Sequence, residues 1–262
     1  MKFVDAHIHL SDEEYSDSVG ELMVEAKNFN VVALVSNSMD LETSINSLKV
    51  AEKYSGRVYV ALGIHPWNVN ALTEHELRRT LELISGQRKN KSVVAIGEIG
   101  LDHKYATIWD KQLKVFNEML NVAEKLDLPV IIHSRGTTEQ VVEILGSFDI
   151  KKVLLHWFSN PMSSLSRVVE NGYFISEGPP TVYSKGIREV VRRIPLGNLL
   201  TETDGPVCYE KNPFNGRKTT PAFIPTVVKA IAEIKNVNET DVSEQIVQNF
   251  EQFFGLKLNK KD

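Results

Sequence analysis

The chain has 262 residues, 42% of them hydrophobic and 24% charged, with a formal net charge of −4. That balance excludes an intrinsically disordered chain. It also excludes general electrostatic wrapping of nucleic acid, so a polyanionic substrate would need positive charge supplied locally by bound metal. A single cysteine, Cys208, leaves no internal disulfide, and no stretch reads as a secretion signal or a membrane span, so a cytoplasmic protein without membrane association is expected.

Short apolar runs rich in β-branched residues fall at 2–6, 31–35, 58–62, 93–96, 129–132, 152–155, 172–175 and 198–200. Runs this short, without polar alternation, suit strands covered on both faces, as parallel sheets require. Between them, apolar residues recur every three or four positions at 41–54, 74–84, 108–126, 138–145, 163–169 and 187–194. The clearest stripe is Leu113, Phe116, Leu120, Ala123 and Leu126, ended by Leu128-Pro129. Two last helical segments, 225–234 and 242–254, close the pattern, and 205–221 is the longest irregular stretch. Strand and helix alternating in this way, with no long polar linker, predict a (β/α)8 TIM barrel of the α/β class, a single domain over residues 1–262.

His7 and His9 close the first run. Residues two apart in an extended chain face the same way, so both imidazoles can reach one ion. Glu98 follows the fourth run, His133 ends the fifth, His156 ends the sixth and Asp204 follows the eighth. Taken singly, each is as well explained by a cap or a satisfied core histidine. Together they place six imidazole and carboxylate groups at the carboxyl ends of strands, the rim where barrel enzymes carry their chemistry. Six ligands exceed one four-coordinate ion and suit a pair held roughly 3.5–4 Å apart, with Glu98 as the bridge. Mixed imidazole and carboxylate ligation favours zinc or manganese over calcium and leaves magnesium open, so two divalent ions (Mg, Mn or Zn) are the expected cofactor. Such ions activate water for hydrolysis at neutral pH, with Glu98 and Asp204 the candidate catalytic carboxylates and Asp204 the proton acceptor. Arg135 is a candidate for steadying a substrate phosphate. Lys211, Arg217 and Lys218 are open between that role and solvated surface charge, and Trp67 and Trp157 between base stacking and packing.

These residues sit in segments that resemble, in order, the motifs of the TatD family of metal-dependent deoxyribonucleases. The segments are Asp5-Ala6-His7-Ile8-His9-Leu10, Gly63-Ile64-His65-Pro66, Gly97-Glu98-Ile99-Gly100-Leu101-Asp102, Leu128-Pro129-Val130-Ile131-Ile132-His133-Ser134-Arg135, His156-Trp157-Phe158-Ser159 and Glu202-Thr203-Asp204-Gly205-Pro206. The likeness runs from residue 5 to about residue 221, with a further stretch at 249–254.

The resemblance implies a TIM barrel, a two-metal site and hydrolysis of phosphodiester bonds in DNA, as single strands or ends, with some family members acting as 3′ exonucleases. It implies that His7, His9, Glu98 and Asp204 hold one ion and Glu98, His133 and His156 the other. His65 would contact a substrate phosphate, or else only cap its proline turn. DNA is the expected partner, with no obligate protein partner. Trp157, Asn160, Gly136 and the stretch 216–221 depart from the family pattern in loops that would meet the nucleic acid, while no ligand position is lost. A different two-metal barrel hydrolase, an amidase, lactonase or phosphotriesterase, is the nearest alternative. Those enzymes usually bridge with a carboxylated lysine on the fourth strand, where this chain offers Glu98. A metal-binding barrel without turnover is the other alternative.

Overall fold

The computed structural model describes residues 1–159 and 162–258, so Asn160 lies outside the described residues. Eight strands form: β1 Phe3–Ile8, β2 Val31–Asn37, β3 Val58–Leu62, β4 Val93–Gly100, β5 Val130–His133, β6 Val153–Leu155, β7 Phe174–Glu177 and β8 Leu199–Thr201. They pair in chain order, every neighbouring pair parallel. Across the β8–β1 seam, Thr201 Oγ1 donates to the Val4 carbonyl at 2.7 Å. Asp204 N donates to the His7 carbonyl and His9 N to the Gly205 carbonyl, both at 2.8 Å. The result is a nearly closed TIM barrel, as expected.

All six residues of β1 and all eight of β4 are buried, which accounts for their apolar character apart from Asp5, His7 and Glu98. Several strands nevertheless extend past the runs read from the sequence. β1 takes in His7, β2 reaches Asn37, β7 reaches Glu177, and Glu98 lies inside β4 instead of following it. The apolar pattern stops where polar side chains begin to turn into the mouth of the barrel, while the backbone ladder continues.

Around the strands lie α1 Val19–Asn28, α2 Leu41–Lys53, α3 Glu74–Gly86, α4 Trp109–Leu126, α5 Thr138–Leu145, α6 Met162–Glu170, α7 Lys185–Arg193, α8 Ile224–Lys235 and α9 Glu239–Phe254. Capping boxes start α2 (Asp40 with Thr43) and α3 (Thr73 with Glu76), satisfying backbone N–H groups that a helix start otherwise leaves open. α4 buries Val115, Phe116, Met119, Leu120 and Ala123, so its inner stripe is rotated from the expected one and Leu113 and Leu126 are only half-buried. The sequence pattern gave no expectation of α1, whose buried stripe is only Leu22, Met23 and Ala26. Among the described residues, no helix is long and apolar enough to cross a membrane.

One glycine decides how closely β4 and β5 approach. Gly100 has φ +148°, and a Cβ there would lie 2.0 Å from the His133 carbonyl oxygen, so only hydrogen fits where β4 delivers Glu98 beside His133.

Candidate metal centre

Each side chain of the centre is aimed by the strand that carries it. Asp5 and His7 are two apart on β1, and His9 follows on the same side after the strand ends. β4 projects Glu98 into the mouth, β5 ends in His133, and His156 comes directly after β6. Asp204 lies three residues beyond β8 with φ +49°, and its N–H is tied to the His7 carbonyl. Trp157, next to His156, has φ +38°. Left-handed backbone at two non-glycine residues flanking one centre is strain that the surrounding hydrogen bonds must hold.

Glu98 is the hub. Its Oε1 lies 2.7 Å from His156 Nε2, 3.1 Å from His133 Nδ1 and 3.1 Å from His65 Nε2. Its Oε2 lies 3.2 Å from His7 Nε2 and 3.3 Å from His9 Nε2. Asp204 Oδ1 closes the second side, 3.4 Å from His7 Nε2 and 3.5 Å from His9 Nε2. The structure therefore brings His7, His9, Glu98, His133, His156 and Asp204 into one group, and adds His65 to it. Their donor atoms form metal-sized sets: His7, His9 and Asp204; His7, Glu98 and His156; His65, Glu98 and His133.

In His9, His133 and His65 the partner of the far nitrogen indicates what the near nitrogen can do. His9 Nδ1 faces the Asn37 carbonyl at 2.9 Å, so it carries the proton and leaves Nε2 with a lone pair. His133 Nε2 faces Asp102 Oδ2 at 2.9 Å, which frees Nδ1 in the same way. Carboxylate–histidine pairs of this kind orient metal ligands. His65 is wired the opposite way. The Trp67 backbone N–H donates to His65 Nδ1 at 3.1 Å, so in the neutral ring Nε2 carries the proton and donates to Glu98. Its geometry is that of a hydrogen-bond donor, not of a lone-pair ligand.

Charge follows the same division. Burial alone would lower the His9 pKa, but the Asp204 and Glu98 carboxylates beside it outweigh that and push it up to about 10. His133 and His156 are also raised against the effect of burial, His133 by Asp102 and Glu98 and His156 by Glu98 and Glu202. Glu98 is held well below the usual carboxylate range despite its burial, by the surrounding histidines. His65, where burial dominates, falls to about 4 and stays neutral. Lone pairs and carboxylates crowded this closely require positive charge between them, either protons or metal cations.

A cavity of about 660 Å³ opens onto the centre, with Trp67, Arg135, Trp157, Val207 and Cys208 in its wall. Arg135 reaches Asp102 through Nε at 3.1 Å and Nη2 at 2.8 Å, and its side chain remains 44% exposed.

A family description, TatD related DNase, matches residues 4–255. The chain belongs to the TatD-related DNase family. It is 32% identical to an uncharacterized metal-dependent hydrolase of Bacillus subtilis, YabD, with 96% of this chain and 98% of that one covered. It is 30% identical to the deoxyribonuclease TATDN3 of Homo sapiens, covering 94% of this chain and 92% of that one. The crystal structure of YjjV, a TatD homologue from Escherichia coli, matches with a TM-score of 0.90 at 28% identity, over 97% of this chain and 98% of that chain. Membership in the TatD family places the chain among metal-dependent hydrolases.

The loop between β8 and α8 carries the basic residues left open above, and each contacts other groups of the chain while staying exposed. Lys218 Nζ donates to the Glu14 carbonyl at 2.6 Å and to Ser18 Oγ at 2.8 Å. Arg217 donates to the carbonyls of Phe214 and Pro213, and Lys211 lies 5.2 Å over the Tyr183 ring. None of the three lines the cavity. They strap this TatD loop down over a small cluster of Tyr209, Phe214 and Phe223, against which Trp157 packs.

Sequence reasoning gave no role to four buried carboxylates around the centre, Asp5, Asp102, Glu202 and, at the end of β7, Glu177. Asp102 accepts from His133, Arg135, the Trp67 indole N–H at 2.7 Å and Lys104 N at 2.8 Å. Glu202 accepts from Trp157 N at 3.0 Å and from Ser176 Oγ at 2.5 Å, with Oε2 3.7 Å from His156 Nδ1. Asp5 accepts from the Thr203 hydroxyl at 2.6 Å and from His7 N at 3.2 Å, and burial raises its pKa to about 8. Asp5 and Glu202 stand two positions before His7 and Asp204, so the period-two rule that found the ligands would have found them too.

Proposed function

We propose that this chain, acting as one barrel domain, hydrolyses phosphodiester bonds in DNA with a pair of divalent ions. The observation that carries the reading is the division of Glu98, with one carboxylate oxygen among His133 and His156 and the other among His7 and His9. A carboxylate shared between two imidazole sets is the donor arrangement a two-metal bridge needs. His7, His9, Glu98 and Asp204 would hold one ion, and Glu98, His133 and His156 the other. Four imidazoles favour manganese or zinc, and the carboxylates leave magnesium open. When bound, the ions supply an activated water and charge stabilisation for both the attacking and the leaving oxygen.

The protein's own groups do the rest. Asp204 is kept ionised against its burial by His9 and His7, which suits it to take the proton released during attack. The His65 Nε2–H, which donates to Glu98 in this structure, would be released to a phosphate oxygen once Glu98 ligates the ions, and the exposed part of the Arg135 guanidinium offers another donor at the rim. The cavity has the size of a site for one or two nucleotides and not for a duplex, which supports single strands or ends as substrate. Against the lactonase, amidase and phosphotriesterase alternative stands β4 itself, which contains no lysine to carboxylate.

The test is turnover by metal-stripped protein resupplied separately with magnesium, manganese and zinc, on single-stranded DNA, a phosphotriester and a lactone. DNA cleavage that depends on added metal, without comparable turnover of the other two, is the expected result. Lactone or phosphotriester turnover without DNA cleavage would replace this reading with the alternative.

A further inference from the structure

The geometry points to a nucleobase-stacking subsite at Trp67, which takes the base next to the phosphate being cleaved. This rests on the nuclease reading and deepens it. Among the described residues, the large exposed hydrophobic side chains that line the cavity are Trp67, at 43%, and Val207, at 37%. Of the two, only Trp67 has a π face. Trp157 also lines the cavity, but its ring packs 5.9 Å from Tyr209 and is half-buried there.

Trp67 is exposed without being loose. Its indole N–H donates to Asp102 Oδ2 at 2.7 Å, and Asp102 is itself fully buried and fixed by His133, Arg135 and Lys104 N. The ring stands roughly perpendicular to His65, with centroids 4.8 Å apart at 85°, and to His133, 6.0 Å apart at 74°. The plane of the indole is thereby set relative to Glu98 and its histidines. The Arg135 guanidinium lies over the ring, 5.7 Å from its centroid, so the cation flanks one face of the indole and a base would take the other, with a phosphate donor close at hand. That pairing matches one nucleotide, its base on the indole and its phosphate toward the centre. Because the ring is already immobilised, little side-chain entropy is lost when a base stacks on it. Every base has a π face, so the subsite contributes affinity without reading sequence.

The test is a cycle between protein and substrate. Wild type and Trp67→Ala are each measured against a short single-stranded oligonucleotide that is intact, abasic at its 3′ terminal nucleotide, or abasic at its 5′ terminal nucleotide. Kd is read by fluorescence anisotropy in EDTA, and KM and kcat with manganese. On the intact strand, Trp67→Ala is expected to raise Kd and KM roughly tenfold, with the loss carried mainly in KM. On one of the two abasic strands it is expected to add nothing, because the stacking partner is already gone. Trp67→Phe, which keeps an aromatic face but loses the hydrogen bond to Asp102, is expected to recover most of the affinity and guards against a folding artefact. An equal loss on all three strands, or no loss on any, overturns the subsite. If wild type cleaves none of the strands while the Kd cycle is non-additive, the subsite stands and the nuclease reading falls. Cleavage with an additive cycle has the opposite meaning.

Discussion

The tautomers of the rings sort the histidines into different roles. Asp102 holds His133 by Nε2 and so presents Nδ1, whereas the Trp67 backbone N–H occupies His65 Nδ1 and leaves a donor. Two substitutions separate these roles. Asp102→Ala removes the carboxylate that orients His133, and manganese affinity measured by calorimetry should fall roughly 10–100-fold. His65→Ala should cost roughly a hundredfold in kcat while metal analysis still finds the wild-type number of ions, because a donor has been lost and no ligand. Loss of an ion from His65→Ala would make His65 a ligand instead. The candidate ligands themselves were legible because His7 and His9 stand two apart at the end of an apolar run and the others lie at or just past the ends of later runs. Asp102 was not, because its partners Trp67 and His133 lie 35 and 31 residues away and only the folded barrel brings them to one carboxylate.

At the scale of elements, the strands were legible through their apolar runs and the long helices through their stripes. The boundaries were not legible at the mouth, where β1, β2, β4 and β7 continue into polar residues that a hydrophobicity pattern reads as loop. α1 escaped because three buried side chains on ten residues make too weak a stripe. The likeness at 249–254 gains a physical reason in the structure. Asn249 on α9 donates from Nδ2 to the carbonyls of Leu196 and Leu199, both at 2.7 Å, and so anchors the last helix to the start of β8. Asn249→Ala removes both bonds, leaving the Leu196 carbonyl only its bond from the Leu199 N–H, and should destabilise the fold by about 2 kcal/mol, read from the urea midpoint. Gly100→Ala should cost on the order of 3 kcal/mol or more, because its Cβ would collide with the His133 carbonyl across the β4–β5 pair. An unchanged midpoint in either variant would remove the corresponding contact from the account.

For the whole molecule, the acidic balance and the proposed polyanionic substrate are reconciled by location. The acidic excess lies inside: Asp5, Glu98, Asp102, Glu177, Glu202 and Asp204 are buried with no buried lysine or arginine among the described residues, so the mouth gathers carboxylates and imidazoles with room for cations and the surface is not acidic. The basic loop residues fasten the 205–221 stretch and none of them lines the cavity, so affinity for a phosphate inside the cavity depends on metal and Arg135. A centre that binds metal only when folded also couples metal to stability. Stripped protein should melt roughly 5–10 °C below protein held at a hundred times the metal Kd, as read by calorimetry. Equal melting temperatures would mean that the folded centre gains nothing from the ions.

The most direct measurement is anomalous diffraction from crystals soaked in manganese. The account predicts two peaks roughly 3.5–4 Å apart, one against His7, His9 and Asp204, the other against His133 and His156, with an oxygen of Glu98 beside each. A single peak, or a pair that includes His65 and leaves Asp204 without an ion, would contradict it.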